Sequence, residues 1–205
     1  MSLLDLAAFA ATPLRREPYE HLVVPSFVAP DEAAALREAF PSLPHSGLTP
    51  IDDAHYDSRF AQLVDAVRRP EFTAAFSEKF AIDLTGRPLM LTLRSHCQRK
   101  DGRIHTDSVE KLVTALIYFN ESWEVDGGAL RILRGADDIE DYVAEVSPLD
   151  GTLIAFRRSE RSYHGHKPHI GPRRYFMINW MESAAVARRE ILRHHISTGI
   201  KRIFA

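Results

Sequence analysis

The stretch Lys111-Leu112-Val113-Thr114-Ala115-Leu116-Ile117-Tyr118-Phe119-Asn120 decides how this chain is read. It is rich in β-branched and aromatic residues and apolar on nearly both faces. Such a strand belongs in a sheet with helices against one side and a lined cavity on the other. Just upstream stands His105-Thr106-Asp107, a short segment carrying an imidazole and a carboxylate. In extended chain, alternation points His105 and Asp107 the same way.

Working outward, further strands are expected at Pro88 to Gln98, Gly128 to Leu133, Gly151 to Phe156, Ser162 to Lys167 and Arg174 to Met181. Asp126-Gly127 reads as a hairpin turn, because both central positions of that turn need positive φ. Asp150-Gly151 reads as another turn. Many short strands in succession predict a closed double sheet of the jelly-roll type.

The first half is mixed. Tyr19 to Val24 reads as a strand, and Pro30 opens a helix carrying Ala33, Leu36 and Phe40. Phe60, Leu63, Val64 and Val67 fall at i, i+3, i+4 and i+7, the spacing of a helix that buries one stripe. Pro70 breaks that run; Phe72, Phe76 and Phe80 continue it as a second helix. The tail from Ser183 reads as helix, with Ala185, Leu192 and Ile196 on one side. The fold class is therefore mainly β with flanking helices. One domain spans 1–205, with helical support over 1–85, the jelly roll over 86–182 and a C-terminal helix over 183–205.

Composition narrows the function classes. A 205-residue chain holds one sizeable core, and 45% hydrophobic with 26% charged residues is ordinary for a globular protein. A formal charge of −2 gives no mandate for nucleic acid or an anionic membrane. Five basic residues against Glu190 in the tail read as the wet face of a helix. The single cysteine, Cys97, suits a reducing compartment; no signal-peptide pattern or membrane-length apolar run is present. A cytoplasmic protein is the expectation.

The His-x-Asp pair needs weighing against chance. Ten His and fourteen Asp, placed at random, give about 0.7 such pairs, and His55-Tyr56-Asp57 has the same form. That second pair abuts the Phe60 helix, where Asp57 or Ser58 serves better as an N-cap. His105 and Asp107 precede the long apolar strand and have histidines downstream at 164, 166 and 169. Two imidazoles and a carboxylate can hold one face of a ferrous ion and leave the rest open, the facial triad of non-haem Fe(II) oxygenases. Strand parity cannot separate His164 from His166 as the third ligand.

A guanidinium fork matches a carboxylate, so an arginine near such a site could hold an acidic co-substrate. Arg174 heads Tyr175-Phe176-Met177-Ile178-Asn179-Trp180 and shares a face with Phe176, Ile178 and Trp180; Arg173 points the other way. Burial of that strand favours Arg174 as the paired charge. Tyr118, with Thr114 on the same side of its strand, could add a hydroxyl or be a plain core aromatic.

Together these segments resemble the Fe(II)/2-oxoglutarate-dependent oxygenase superfamily in its prolyl 4-hydroxylase-like branch. The likeness runs from about Leu89 to Trp180. It is carried by His105-Thr106-Asp107, Val113 through Trp123, Gly127 through Arg131, and His164 through Trp180, with Pro168 four residues after His164. The resemblance implies a double-stranded β-helix (jelly-roll or cupin-like) core supported by N-terminal helices. It implies Fe(II) bound by His105, Asp107 and His164, and 2-oxoglutarate held through Arg174 with Tyr118. Molecular oxygen is the second co-substrate and ascorbate a candidate reductant. The implied reaction hydroxylates a C–H bond while 2-oxoglutarate decarboxylates to succinate and CO2. Having Asp107 in place of glycine or alanine argues against the halogenating relatives. Arg94, Ser95 and His96 stand where related prolyl hydroxylases often carry a tyrosine.

The substrate is not written in these motifs. Arg157, Arg158, Arg161, His166, Lys167, His169 and Arg173 surround the distal histidine with Glu160 the only nearby acid, which suggests an anionic substrate drawn in by the field. A small molecule and a peptidyl, prolyl-type target both fit, and a non-enzymatic metal- or ligand-binding jelly roll is the reading from another class. The sequence sets no oligomeric state.

Overall fold

The computed structural model describes residues 2–192. Two antiparallel sheets face each other. The larger runs in the order β1 (His21–Val24), β7 (Leu153–Arg157), β4 (Lys111–Tyr118), β9 (Gly171–Met181), β3 (Leu89–Cys97), β2 (Thr49–Pro50). The smaller is β6 (Tyr142–Val146), β5 (Leu130–Leu133), β8 (His164–Gly165), extended by a bridge from His164 to His105. The expected mainly β, double-sheet architecture is present.

Alternation along β4 and β9 sorts their side chains into two cores. Val113, Ala115, Ile117, Phe176, Ile178 and Trp180 are buried against helices. Leu116, Tyr118, Tyr175 and Met177 face the smaller sheet, where Leu130, Ile132 and Val146 meet them.

The helices that cover the first face are α1 (Leu6–Ala11), α2 (Pro30–Glu38), α3 (Ser58–Arg68) and α4 (Pro70–Phe80). Phe60, Leu63, Val64 and Val67 are all buried on α3, as their spacing predicts. Phe72 and Phe76 of α4 pack on Trp180 with ring centroids 5.6 and 4.5 Å apart. The carboxylate of Asp57 accepts from the Phe60 N–H at 2.9 Å, so the second His-x-Asp pair is consumed by an N-cap.

Four expectations are corrected. Asp126-Gly127 is not a hairpin, because β4 and β5 lie in different sheets; the positive φ angles belong to Gly127 and Gly128. A Cβ on Gly127 would meet the Pro168 carbonyl oxygen at 2.4 Å, so close backbone approach is what requires glycine there. The edge strand β6 was not expected; most of it is half-exposed, and such a strand shows little alternation. β1 lies where Tyr19 to Val24 reads as a strand, but it and the unexpected β2 both join the large sheet, so that sheet begins before residue 86. Residues 184–192 are helical, but Ala187 is the buried residue, with Val186 and Ile191 packed beside it; Ala185 and Leu192 are exposed. Ile196 and the rest of the expected tail helix lie outside the described residues. No helix among the described residues is long and apolar enough to cross a membrane.

Candidate active site

His105, Asp107 and His164 converge. Each offers one ligand atom, and those atoms lie within 4.8 Å of one another. Backbone pairing does much of this: His105 and His164 exchange N–H···O bonds of 3.0 Å, holding their rings 4.4 Å apart. Asp107 and His164 are buried at 8% and 6% exposure, whereas His105 is exposed, so the cluster is approached from its side.

The donor set fits a divalent cation. His105 Nδ1 lies 2.8 Å from the Arg103 carbonyl, and His164 Nδ1 lies 2.9 Å from the Ser162 carbonyl. A carbonyl only accepts, so each Nδ1 carries the proton and each Nε2 keeps a lone pair. Burial pushes the His164 imidazole down to about 4 against the pull of Asp107, which keeps it neutral. Burial alone would raise the Asp107 carboxyl. The Lys111 ammonium and hydrogen bonds from Lys111 and Thr114 instead hold it well below the usual carboxylate range.

Asp107 is aimed by its neighbours. Lys111 Nζ donates to Oδ1 at 2.8 Å, and Thr114 Oγ1 donates to Oδ2 at 2.6 Å. Asn179 Nδ2 donates in turn to Thr114 Oγ1 at 2.8 Å. The sequence reading missed Lys111 and Asn179. A polar residue in the middle of an apolar strand was the available signal for Asn179; nothing in the sequence marked Lys111.

The cluster opens into a cavity of about 340 Å³ whose lining includes Arg94, His166, Arg173, Tyr175 and Met177. Arg174 does not line it, which corrects the expected co-substrate arginine. Strand parity was right, but the face it shares with Phe176, Ile178 and Trp180 is the helix-packed one. The Arg174 side chain lies half-buried near Asp150, whose carboxyl feels its charge. Arg173 is the cavity residue, 3% exposed. Its Nε donates to the Gly128 carbonyl at 2.6 Å and its Nη2 to the Tyr118 hydroxyl at 3.3 Å. Tyr118 stands behind Arg173, outside the cavity lining. Burial raises its hydroxyl to about 12 with Arg173 opposing, so it stays protonated.

Of the basic residues expected around the distal histidine, only His166 and Arg173 reach the cavity. Arg157, Arg158 and Arg161 line a different groove with Arg16 and Glu20. Burial, then Arg173, lowers His166 to about 4, and its Nδ1 is spent on the Lys167 carbonyl at 2.7 Å.

Residues 92–182 match the family model of the 2OG-Fe(II) oxygenase superfamily. That match covers under half of the chain. The chain is similar in fold to a prolyl-4-hydroxylase from Pseudomonas putida, at 17% identity and TM-score 0.62, covering 85% of this chain and 99% of that one. It is also similar to a 2OG-Fe(II) oxygenase family oxidoreductase from Burkholderia pseudomallei, at 13% identity and TM-score 0.57, over 87% and 90% of the two chains. A viral collagen prolyl hydroxylase from Paramecium Bursaria Chlorella virus-1 aligns at 14% identity and TM-score 0.55, over 78% and 93%. No curated protein matches the chain. The oxygenase class uses Fe(II), 2-oxoglutarate and oxygen, and the His-His-Asp cluster lies inside the matched residues.

Proposed function

We propose that the oxygenase hydroxylates its substrate with Fe(II) bound by His105, Asp107 and His164, and with 2-oxoglutarate anchored by Arg173. One observation carries the second assignment. Arg173 is a buried guanidinium in the triad's own cavity, and among the described residues no carboxylate is paired with it. A buried charge is costly without an opposite one, and the far carboxylate of 2-oxoglutarate supplies it. Arg174 is withdrawn from that role.

Bound Fe(II) supplies the oxygen chemistry. This chain's residues supply position. The carbonyls of Arg103 and Ser162 fix both imidazoles by their Nδ1 protons. Thr114 holds one oxygen of Asp107 so that the other is free to bind once Lys111 yields it. The Tyr118 hydroxyl and Gly128 carbonyl aim Arg173. Leu116, Leu130, Phe156 and Met177 keep the inner cavity apolar, which strengthens each charge contact in it.

The test is direct. The purified chain with Fe(II) and ascorbate should form succinate from 2-oxoglutarate, and calorimetry on Mn(II)-loaded protein should show 2-oxoglutarate binding. Arg173→Gln should lose that binding while Arg174→Gln keeps it. Equal losses in both variants would remove Arg173 from the anchor role.

A peptidyl target is the second reading. It rests on likeness to a Trichoplax adhaerens prolyl hydroxylase solved with a hypoxia inducible factor peptide fragment, at 14% identity and TM-score 0.51.

A further inference from the structure

The cavity carries more positive charge than the co-substrate uses. Arg94, Lys100, Arg103, Lys111 and Arg173 line it against Asp101 and Asp107, an excess of three positive charges. Fe(II) and 2-oxoglutarate bring opposite charges of equal size, so loading the site leaves that excess in place. A concave site with a surplus of one sign concentrates ligands of the other.

Among those cations that are not exposed, Arg94 is the one without an assigned task. It sits on β3 opposite Tyr175, on the cavity side of the sheet, with its side chain 14% exposed. Asp101 takes its Nη1 at 2.8 Å, and the Cys97 thiol lies within hydrogen-bond reach. Its buried Nε has no partner. A guanidinium presents a fixed fork of donors; Asp101 takes one of its nitrogens, and the part of this side chain left exposed lies on the cavity lining. Lys100 and Arg103 are exposed beside the equally exposed His105, so the route to the metal cluster passes between cations.

Size narrows the choice. About 340 Å³ is near the small end for a ligand pocket, and this one must hold co-substrate and substrate together. Resting on the oxygenase reading above, we propose that the substrate is a small molecule bearing a carboxylate, and that Arg94 receives that carboxylate. Asp101 competes for the same guanidinium, so it tunes affinity and disfavours weakly charged ligands. Arg94 is thereby separated from Arg173, which holds the co-substrate.

The experiment uses the full chain, reconstituted with Fe(II) and saturated with 2-oxoglutarate. The probes are free amino acids, hydroxy acids and short dicarboxylic acids, each paired with its primary amide, and short proline-containing peptides as a third group. Succinate formed above the no-probe rate is the readout. Stimulation is expected from acids and not from their amides. For the best acid, Arg94→Gln should raise KM by roughly 10- to 100-fold, the loss of a charge-assisted bond. Arg94→Lys should recover part of it, and Asp101→Asn should lower KM while still accepting from the Gln98 N–H. On Mn(II)-loaded protein, 2-oxoglutarate affinity measured by calorimetry should stay within about twofold in Arg94→Gln, a bound set well inside one charge-assisted bond. The proposal is overturned if amides match acids, if only peptides stimulate, or if no probe stimulates although 2-oxoglutarate binds. Loss of 2-oxoglutarate affinity in Arg94→Gln also overturns it, by moving Arg94 into the co-substrate subsite. Failure of the wild-type chain to bind 2-oxoglutarate sinks the oxygenase reading instead.

Discussion

The two faces of the large sheet share strands but do opposite work. On one face Phe176, Ile178 and Trp180 of β9 meet the phenylalanines of α3 and α4, and the contact is apolar and buried. On the other, the same strand turns Arg173, Tyr175, Met177 and Asn179 toward the metal cluster or its supports. Neighbouring residues on one strand thus fall on different sides of the division between stability and chemistry. The lesson is that a site can be rigid without rigid parts of its own: polar side chains are held by a backbone that the opposite face locks down.

Substitutions on the two faces should separate accordingly. The largest effect belongs to Asp107→Ala, which should abolish 2-oxoglutarate-dependent succinate formation and Mn(II) binding while leaving the circular dichroism spectrum intact. Turnover in that variant would break the comparison outright. On the apolar face, Trp180→Ala should cost about 3–5 kcal/mol of stability, read as a lowered urea midpoint, because it empties a fully buried site between Phe72 and Phe76. Its folded fraction should still bind Mn(II).

A smaller effect is expected from Thr114→Val. It removes the donor to Asp107 and strands the buried Asn179 amide, so metal affinity should fall by roughly 10- to 100-fold and stability by about 1–3 kcal/mol. An unchanged Mn(II) dissociation constant would show that Lys111 alone orients the carboxylate. Smallest is Asp57→Ala, which should cost about 1 kcal/mol through loss of the α3 N-cap. Any effect of that variant on metal binding would contradict the division between the two His-x-Asp pairs.

The convergence of His105 with Asp107 was legible because ligand chemistry restricts residue types and strand alternation pairs the two. His164 was reached through the resemblance, since parity could not set it apart from His166. The structure gives the physical difference: His164 pairs with His105 across the bridge and its ring lies 4.4 Å from that of His105, while His166 is not among the three residues whose ligand atoms lie within 4.8 Å of one another. Arg174, expected at the co-substrate, lies off the cavity lining for a similar reason. Both faces of β9 are apolar, so burial along that strand did not say which face met the cavity. The hairpin expectation failed because a turn signal reports local backbone and carries no information on which sheet the next strand joins.

Most of the strands along the chain, the helical stripes of α3 and α4, the N-cap and the ligand types follow from the chain alone, because each depends on neighbours a few residues away. The placement of Arg173, and not Arg174, on the cavity lining, the contacts of Lys111 and Asn179, and the surplus of cations in the cavity were decided by tertiary structure. These depend on which faces meet across the two sheets, and that is set by packing between residues sixty or more positions apart, such as Thr114 and Asn179.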